Sequence, residues 1–358
     1  MALSRRWFLA SLPAACFGQS LKGRIAPSAV FTYQDPATEF PVHRLTDPNF
    51  TSYLSGARAI SRHGFLLAAS NTPGRFEAYR IDGKSGQQRQ LTDAADLDPR
   101  SVMLAPDDKS FVYLDGRSLM SANLSSLKAR EVYRIPEDFS RGCGLGLSDD
   151  GLYVALIEIK DARHRLRLVN VAKGTAETLA ESDEEMALPT PRPRRASILY
   201  RRAGNWWLAN YDGKQDYRLR LAEGGLGPAL WGPDGRSVFY LSYPAELRKL
   251  HSLHEFVPDS NEDTLLADTS QFVSIGRNAD ASVFAGASGS KASPYVLLLL
   301  RSVRRELTLC EHRSSDPTLV APVFSPNSQR VLFGSDRHGK PAVYSMSVEK
   351  LVAETESA

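Results

Sequence analysis

Cysteine is scarce in this chain: three residues in 358, at positions 16, 143 and 310. Thiols so few and so far apart exclude a disulfide framework, and Cys143 and Cys310 are expected to be small buried fillers. Long apolar runs are also missing. Beyond the N-terminus no stretch approaches the ~18 to 20 residues that a membrane helix needs, so no internal segment is expected to span a bilayer. Neither sign of charge dominates, with 44 basic and 41 acidic residues and a formal charge of +3. Loss of an N-terminal leader carrying Arg5 and Arg6 would leave about +1. That balance carries no electrostatic footprint for nucleic acid. No Ser-His-Asp order, nucleotide-binding glycine loop or pair of glycosidase carboxylates is present. The glycine-rich run Gly142-Cys143-Gly144-Leu145-Gly146 is not followed by a helical pattern, so it reads as a strand packed close to a central channel.

What is present begins with an address. Ser4-Arg5-Arg6-Trp7-Phe8-Leu9 followed by an apolar stretch to Phe17 is similar to a bacterial twin-arginine export signal. Residues 1–20 are therefore expected to be a leader, and the protein periplasmic or secreted. Pro13-Ala14-Ala15-Cys16 is an imperfect lipoprotein site, because Pro13 stands where such sites usually carry Leu, so anchoring through Cys16 is the alternative fate.

The strongest signal is internal repetition. A short strand, a turn with Pro-Asp-Gly chemistry and a strongly apolar strand recur at 59–70, 102–114, 146–156, 193–200, 229–240, 273–284 and 323–333. The spacing of roughly 40 to 48 residues is the period of one four-stranded propeller blade. Pro, Asp, Asn and Gly supply the turn angles between the first two strands. The run after each turn is almost continuously apolar, as expected for a strand covered on both faces by neighbouring blades. The fold expected is all-β, a seven-bladed β-propeller. Its last copy supplies only three strands. Arg44-Leu45-Thr46 repeats the fourth-strand pattern Gln90-Leu91-Thr92, so Pro41–Thr46 is expected to complete the last blade. The expected organisation is a leader over 1–20, an N-terminal segment over 21–40, the propeller over 41–351 and a tail over 352–358.

Two families carry these patterns. Ser335-Asp336-Arg337-His338-Gly339-Lys340-Pro341, running into Ala342-Val343-Tyr344, resembles the blade repeat of TolB-type propellers. A closer resemblance, over nearly the whole mature chain, is to the oligogalacturonate lyases, seven-bladed propellers that cleave pectin-derived oligosaccharides. It rests on Asp35-Pro36-Ala37-Thr38, Arg44-Leu45-Thr46-Asp47, Tyr79-Arg80-Ile81-Asp82, Gln90-Leu91-Thr92-Asp93 and the Trp231, Pro233-Asp234-Gly235 blade. The resemblance implies β-elimination: a divalent cation, Mn2+ in the family, neutralises a uronate carboxylate while a basic side chain removes the adjacent proton. The family's metal-binding histidine and its Gln-x-x-His-Pro-His run fall here at Pro228, Asp316, Leu319 and Ala321. Only Asp316 has a side chain able to bind a cation, and one carboxylate is not a site. The family's His-Glu-Gly-Pro run is replaced by Arg201-Arg202-Ala203-Gly204. No metal or other cofactor is therefore expected with any assurance from these residues.

The candidate ligand-binding residues are Arg201, Arg202, Trp206, Trp207, Trp231 and Asp316. Guanidinium forks grip carboxylates and tryptophan faces carry sugar rings. The plainer reading places Trp206 and Trp207 on opposite faces of one strand, each packed between blades. His251 and His254, three apart, would share a face only if the Arg248–Phe256 region were a short helical insertion. Arg192, Arg194 and Arg195 read as a solvated loop among prolines, and the Glu181–Glu185 run as a surface turn. Two readings follow. In one the chain acts on or binds acidic oligosaccharides as a lyase-like propeller. In the other it is a non-catalytic, TolB-like propeller that binds a ligand or a protein partner.

Overall fold

The structure is a computed structural model, described for residues 20–72, 74–246, 249–349 and 351. The expected leader, Cys16 and the tail over 352–358 lie outside the described residues or almost entirely so. The described chain is built of β-strands with two single-turn 3-10 segments, and no helix in it is long and apolar enough to cross a membrane.

Four-stranded antiparallel meanders follow one another in chain order, here called blades one to seven. Their innermost strands are Ser52–Tyr53, Met103–Leu104, Ser140–Leu147, Met186–Pro191, Gly225–Trp231, Phe272–Arg277 and Val323–Phe324. The C-terminal ends of these strands converge. A cavity of about 430 Å³ is lined by residues from all seven blades, among them Met103, Leu147, Pro191, Trp231, Arg277 and Phe324. The apolar second strands lie where the pattern puts them. Phe65–Ser70 is buried at every position, and Val238–Tyr243 at every position but the last. Between blades the packing is side chain on side chain: Leu199, Trp206 and Leu208 of blade four meet Val238, Tyr240 and Phe256 of blade five.

Glycine sets how closely two inner strands approach. A Cβ on Gly146 would lie 2.2 Å from the Pro189 carbonyl oxygen. Blades three and four come so near that Cys143 pairs in parallel with Ala187, making one eight-stranded sheet.

The N-terminal segment closes the ring. Pro41–Arg44 pairs with Ala342–Ser347 as the fourth strand of blade seven. The equivalence with blade one extends to single atoms. Tyr344 stands opposite Arg44 as Tyr79 stands opposite Gln90. The Val343 N–H donates to Thr46 Oγ1 at 3.0 Å, as the Ala78 N–H donates to Thr92 Oγ1 at 2.8 Å. Two further strands were not expected: Phe31–Gln34 adds an edge to blade seven and Ile25–Ala26 an edge to blade one. Directly after Gln34, Asp35, 1 % exposed, accepts from the N–H groups of Ala37, Thr38 and Glu311, and lies 3.7 Å from the buried Arg337 guanidinium. Thr38 Oγ1 donates to the Leu309 carbonyl at 2.8 Å. One segment thus binds blades one, six and seven.

Several details differ from the sequence reading. Cys143 is exposed, because its strand turns that side chain away from the blade; Cys310 is buried. Arg192 is buried and not part of a solvated loop. It donates to the Gly235 carbonyl at 2.6 Å, pairs with Asp259 at 3.2 Å and lies over Trp231. His251–Val257 is a strand, not a helical insertion, so His251 and His254 face opposite ways.

Removing the Asp35 carboxylate would strand three N–H groups and leave the Arg337 charge without its buried partner. Asp35→Ala is expected to cost about 2 to 4 kcal/mol and to lower the melting temperature by roughly 5 °C or more. Deletion through Thr46 is expected to cost more still. Thermal melts followed by circular dichroism check both, and a truncated protein melting with the intact chain would refute closure by this segment.

Candidate functional site at the channel mouth

In blade four, strands Ser197–Arg202 and Asn205–Asn210 pair with Arg201 opposite Trp206 and Tyr200 opposite Trp207. Side chains alternate across a strand, so the four-residue cluster is divided between two faces. Trp206 faces blade five, 2 % exposed, and its Nε1–H donates to the Gly227 carbonyl at 3.1 Å. Trp207 faces the other way, against the cluster shared with blade three. Arg202 lies over Trp207 and donates to Glu184 at 2.7 Å, with Asp216 at 3.6 Å. Its charge is already matched by carboxylates.

Arg201 is different. One of its N–H groups donates to the Leu226 carbonyl at 2.9 Å, and it pairs with no carboxylate among the described residues. It lies at the N-terminal end of the blade-five inner strand, the end opposite Trp231 and the 430 Å³ cavity. The neighbouring strand is shaped around a tyrosine. A Cβ on Gly227 would lie 2.4 Å from the Tyr243 hydroxyl, so only glycine leaves that ring its place. Burial pushes the Tyr243 phenol up to about 12, against the pull of Arg201 in the other direction; it is a neutral donor at neutral pH. The His251 ring packs on Tyr243 at 4.3 Å. His251 Nδ1 lies 2.8 Å from the Phe272 carbonyl, which can only accept, so Nδ1 carries the proton and neutral His251 keeps its lone pair on Nε2. Arg201, Tyr243 and His251 lie together: a fixed positive charge, an aromatic ring whose hydroxyl donates to the Val273 carbonyl at 3.4 Å, and a nitrogen base. Tyr243 and His251 were not singled out from the sequence as ligand-binding residues. They come from the next blade, and only the register brings them beside Arg201.

The other candidates lie elsewhere. Trp231 lines the central cavity, its Nε1–H donating to the Thr190 carbonyl at 3.1 Å. Arg58 and Asp149 form an ion pair in the same cavity. Asp316 caps the 3-10 turn Pro317–Leu319, accepting from the Thr318 N–H at 3.0 Å and from its hydroxyl at 2.6 Å.

The donor set at the positions aligned with the family's metal ligands does not suit a divalent cation. Pro228, Leu319 and Ala321 offer no side-chain donor, and the Asp316 carboxylate serves its own turn. The nearby His312, fully buried, has both ring nitrogens engaged: Nε2–H donates to the Ser288 carbonyl and Nδ1 accepts from the Ser314 N–H, each at 3.0 Å. Among the described residues no three His, Cys, Asp or Glu side chains come together as a metal site would require.

Fold and rim define a β-propeller with an arginine and aromatic side chains at one mouth of its channel. Comparison with known proteins gives the kinship. The oligogalacturonate lyase family profile matches residues 20–173. The chain is 26 % identical to the oligogalacturonide lyase of Pectobacterium atrosepticum and 24 % identical to the oligogalacturonate lyase of Dickeya dadantii, in each case over 90 % of this chain and 97 % of the relative. A solved oligogalacturonate lyase in complex with manganese superposes with a TM-score of 0.86 at 24 % identity, covering 92 % of this chain and 98 % of the other. The Vibrio parahaemolyticus oligogalacturonate lyase gives 0.84 at 22 %, covering 91 % and 98 %. The chain is similar to oligogalacturonate lyases along nearly its whole length and shares their fold.

Burial holds the His312 pKa below its ordinary value, and burial lowers His43 and His338 too. The unfolded chain then binds more protons than the folded one as pH falls below about 6.5, so stability present above that pH is lost on acidification. His312→Gln is expected to be less stable at pH 7 and to show a shallower loss between about pH 7 and 5. Urea midpoints measured across that range check the slope; an unchanged slope would remove His312 from the account.

Proposed function

We propose that this protein acts on or binds pectin-derived acidic oligosaccharides, with a uronate carboxylate held by Arg201 at the channel mouth. The observation that carries this reading is a guanidinium without a carboxylate partner among the described residues, set among aromatic side chains, in a chain similar to oligogalacturonate lyases over 90 % of its length. Arg201 offers a planar pair of donors to a carboxylate. Trp206, 5.9 Å from the guanidinium, and the Leu226 carbonyl fix its direction. Tyr243, whose O–H donates to the Val273 carbonyl at 3.4 Å, offers its ring face and a phenol oxygen that can accept from a sugar hydroxyl. His251, with Nε2 unprotonated, is the group of this rim able to accept the proton that β-elimination removes. A divalent cation, where bound in this family, would neutralise the carboxylate; the side chains here assign that charge to Arg201. The twin-arginine pattern at Arg5 and Arg6 supports export, which would bring the protein to sugars released outside the cytoplasm.

Titration calorimetry with saturated and unsaturated digalacturonate tests the reading. Arg201→Ala is expected to weaken binding at least about tenfold, the worth of one charge-assisted contact. Arg202→Ala, whose partners are Glu184 and Asp216, is expected to change affinity less than about threefold. Absorbance of the unsaturated product, followed with and without added manganese, reports elimination in the same samples. Turnover abolished in His251→Ala with binding retained would assign the base. Failure of the wild-type protein to bind either sugar would overturn the proposal.

A further inference from the structure

A second cavity, of about 390 Å³, lies between blades seven and one. Its walls come from the turns between first and second strands, including Ser61–Arg62 and Ser325–Asn327, and from the blade-one hairpin turn at Gly83–Lys84. These turns lie at the opposite ends of the strands from Arg201, so the two sites are separate. Two polar side chains face into this space from one face of blade seven. Leu332 stands opposite Ser345 and Arg330 opposite Ser347, which makes Arg330 and Ser345 diagonal neighbours on the same face.

Neither of these side chains has a partner. Arg330 Nε and Ser345 Oγ are both enclosed and make no hydrogen bond, and the Arg330 guanidinium has no ion pair among the described residues. Burial lowers the Arg330 pKa, with no carboxylate acting against it. Lys84 lines the same cavity without an ion pair among the described residues. The nearby carboxylates are committed elsewhere. Asp108 accepts from Ser61 Oγ at 3.0 Å and the Arg62 N–H at 3.1 Å. Asp82 accepts from the N–H groups of Lys84 and Ser85 within its own turn. A half-buried guanidinium and a buried hydroxyl, both unpaired in one roomy cavity, are an arrangement that burial disfavours unless an anion completes it. The volume suits a small molecule.

We propose that the cavity between blades seven and one binds a small oxyanion, accepting hydrogen bonds from Arg330 and Ser345 and charge from Lys84. Phosphate and the carboxylate of a sugar acid share this chemistry. Calorimetry of the mature protein with inorganic phosphate, against chloride at equal ionic strength, tests the first source. Galacturonate monomer, titrated into Arg201→Ala protein so that the channel-mouth site is disabled, tests the second. Saturable binding of one equivalent in either arm is expected. Arg330→Met should weaken it at least about tenfold, while its melting temperature without anion stays at or above that of the wild type, since an unpaired buried charge has been removed. Ser345→Ala should weaken binding severalfold and is the second test if Arg330→Met fails to fold. Phosphate affinity should be unchanged in Arg201→Ala. No saturable binding of either oxyanion, or undiminished binding in both cavity variants, would overturn the proposal.

Discussion

The buried carboxylate of Asp35 holds the ring together. A chain of successive meanders has two ends, and each would leave an open strand edge ready to pair elsewhere. Here both ends are joined by one N-terminal segment. Asp35 fixes that segment against the backbone of Glu311 in blade six; the strands on either side of it extend blade seven, and Ile25–Ala26 further back extends blade one. The segment must be ordered before the ring can close, so much of the native contact set depends on pairing the first residues of the chain with nearly the last. Such long-range closure costs loop entropy before it yields contacts. Val343 and Thr46, 297 positions apart, share one of the hydrogen bonds that recover it.

Closure also determines what the channel can be. With blade seven completed, all seven blades contribute to one cavity, and each blade packs its apolar strands on the next. Arg201 reaches Leu226, and Trp206 reaches Gly227, across such a junction. The rim geometry is therefore a property of the angle between blades four and five. Burying Trp206 and leaving Gly227 without a side chain sets that angle, and Tyr243 fills the gap it leaves. The second cavity lies at the junction that closure creates, so its residues come from the two ends of the propeller in sequence.

The fold was legible because its causes repeat. Turn chemistry, a doubly covered apolar strand and the Leu-Thr ending recur at a fixed period, and Thr46 and Thr92 prove to do the same task. Strands whose cause is tertiary were not legible. Ile25–Ala26 and Phe31–Gln34 are short and mostly exposed, without the continuous apolar run that marks the blade strands. His251 and His254 looked like a helical pair because they are three residues apart, a spacing that shares a face on a helix but not on the regular strand they occupy. Arg192 looked solvated among its prolines, yet its partners Gly235 and Asp259 lie in another blade. The candidate site shows the same division. Arg201 and Trp206 stood out by residue type, whereas the difference between Arg201 and Arg202 depends on which face meets Glu184. Nothing near position 202 in the sequence reveals Tyr243 or His251.

Under the role proposed for Arg201, the residues Pro228, Leu319 and Ala321 have a chemical consequence. A divalent cation and a guanidinium both attract a uronate carboxylate, but they act differently on the proton beside it. The cation binds the oxygens directly and withdraws electron density, which stabilises the charge that develops as the proton leaves. The guanidinium neutralises one unit of charge through hydrogen bonds and keeps its own protons. Exchanging the first for the second conserves recognition of the carboxylate better than it conserves acidification of the neighbouring carbon. Closure of the ring does not depend on this exchange, because the hydrogen bonds of Asp35, Thr46 and Thr92 involve none of the substituted positions. A chain can therefore keep a lyase's entire architecture while the balance between holding an acidic sugar and cleaving it shifts toward holding.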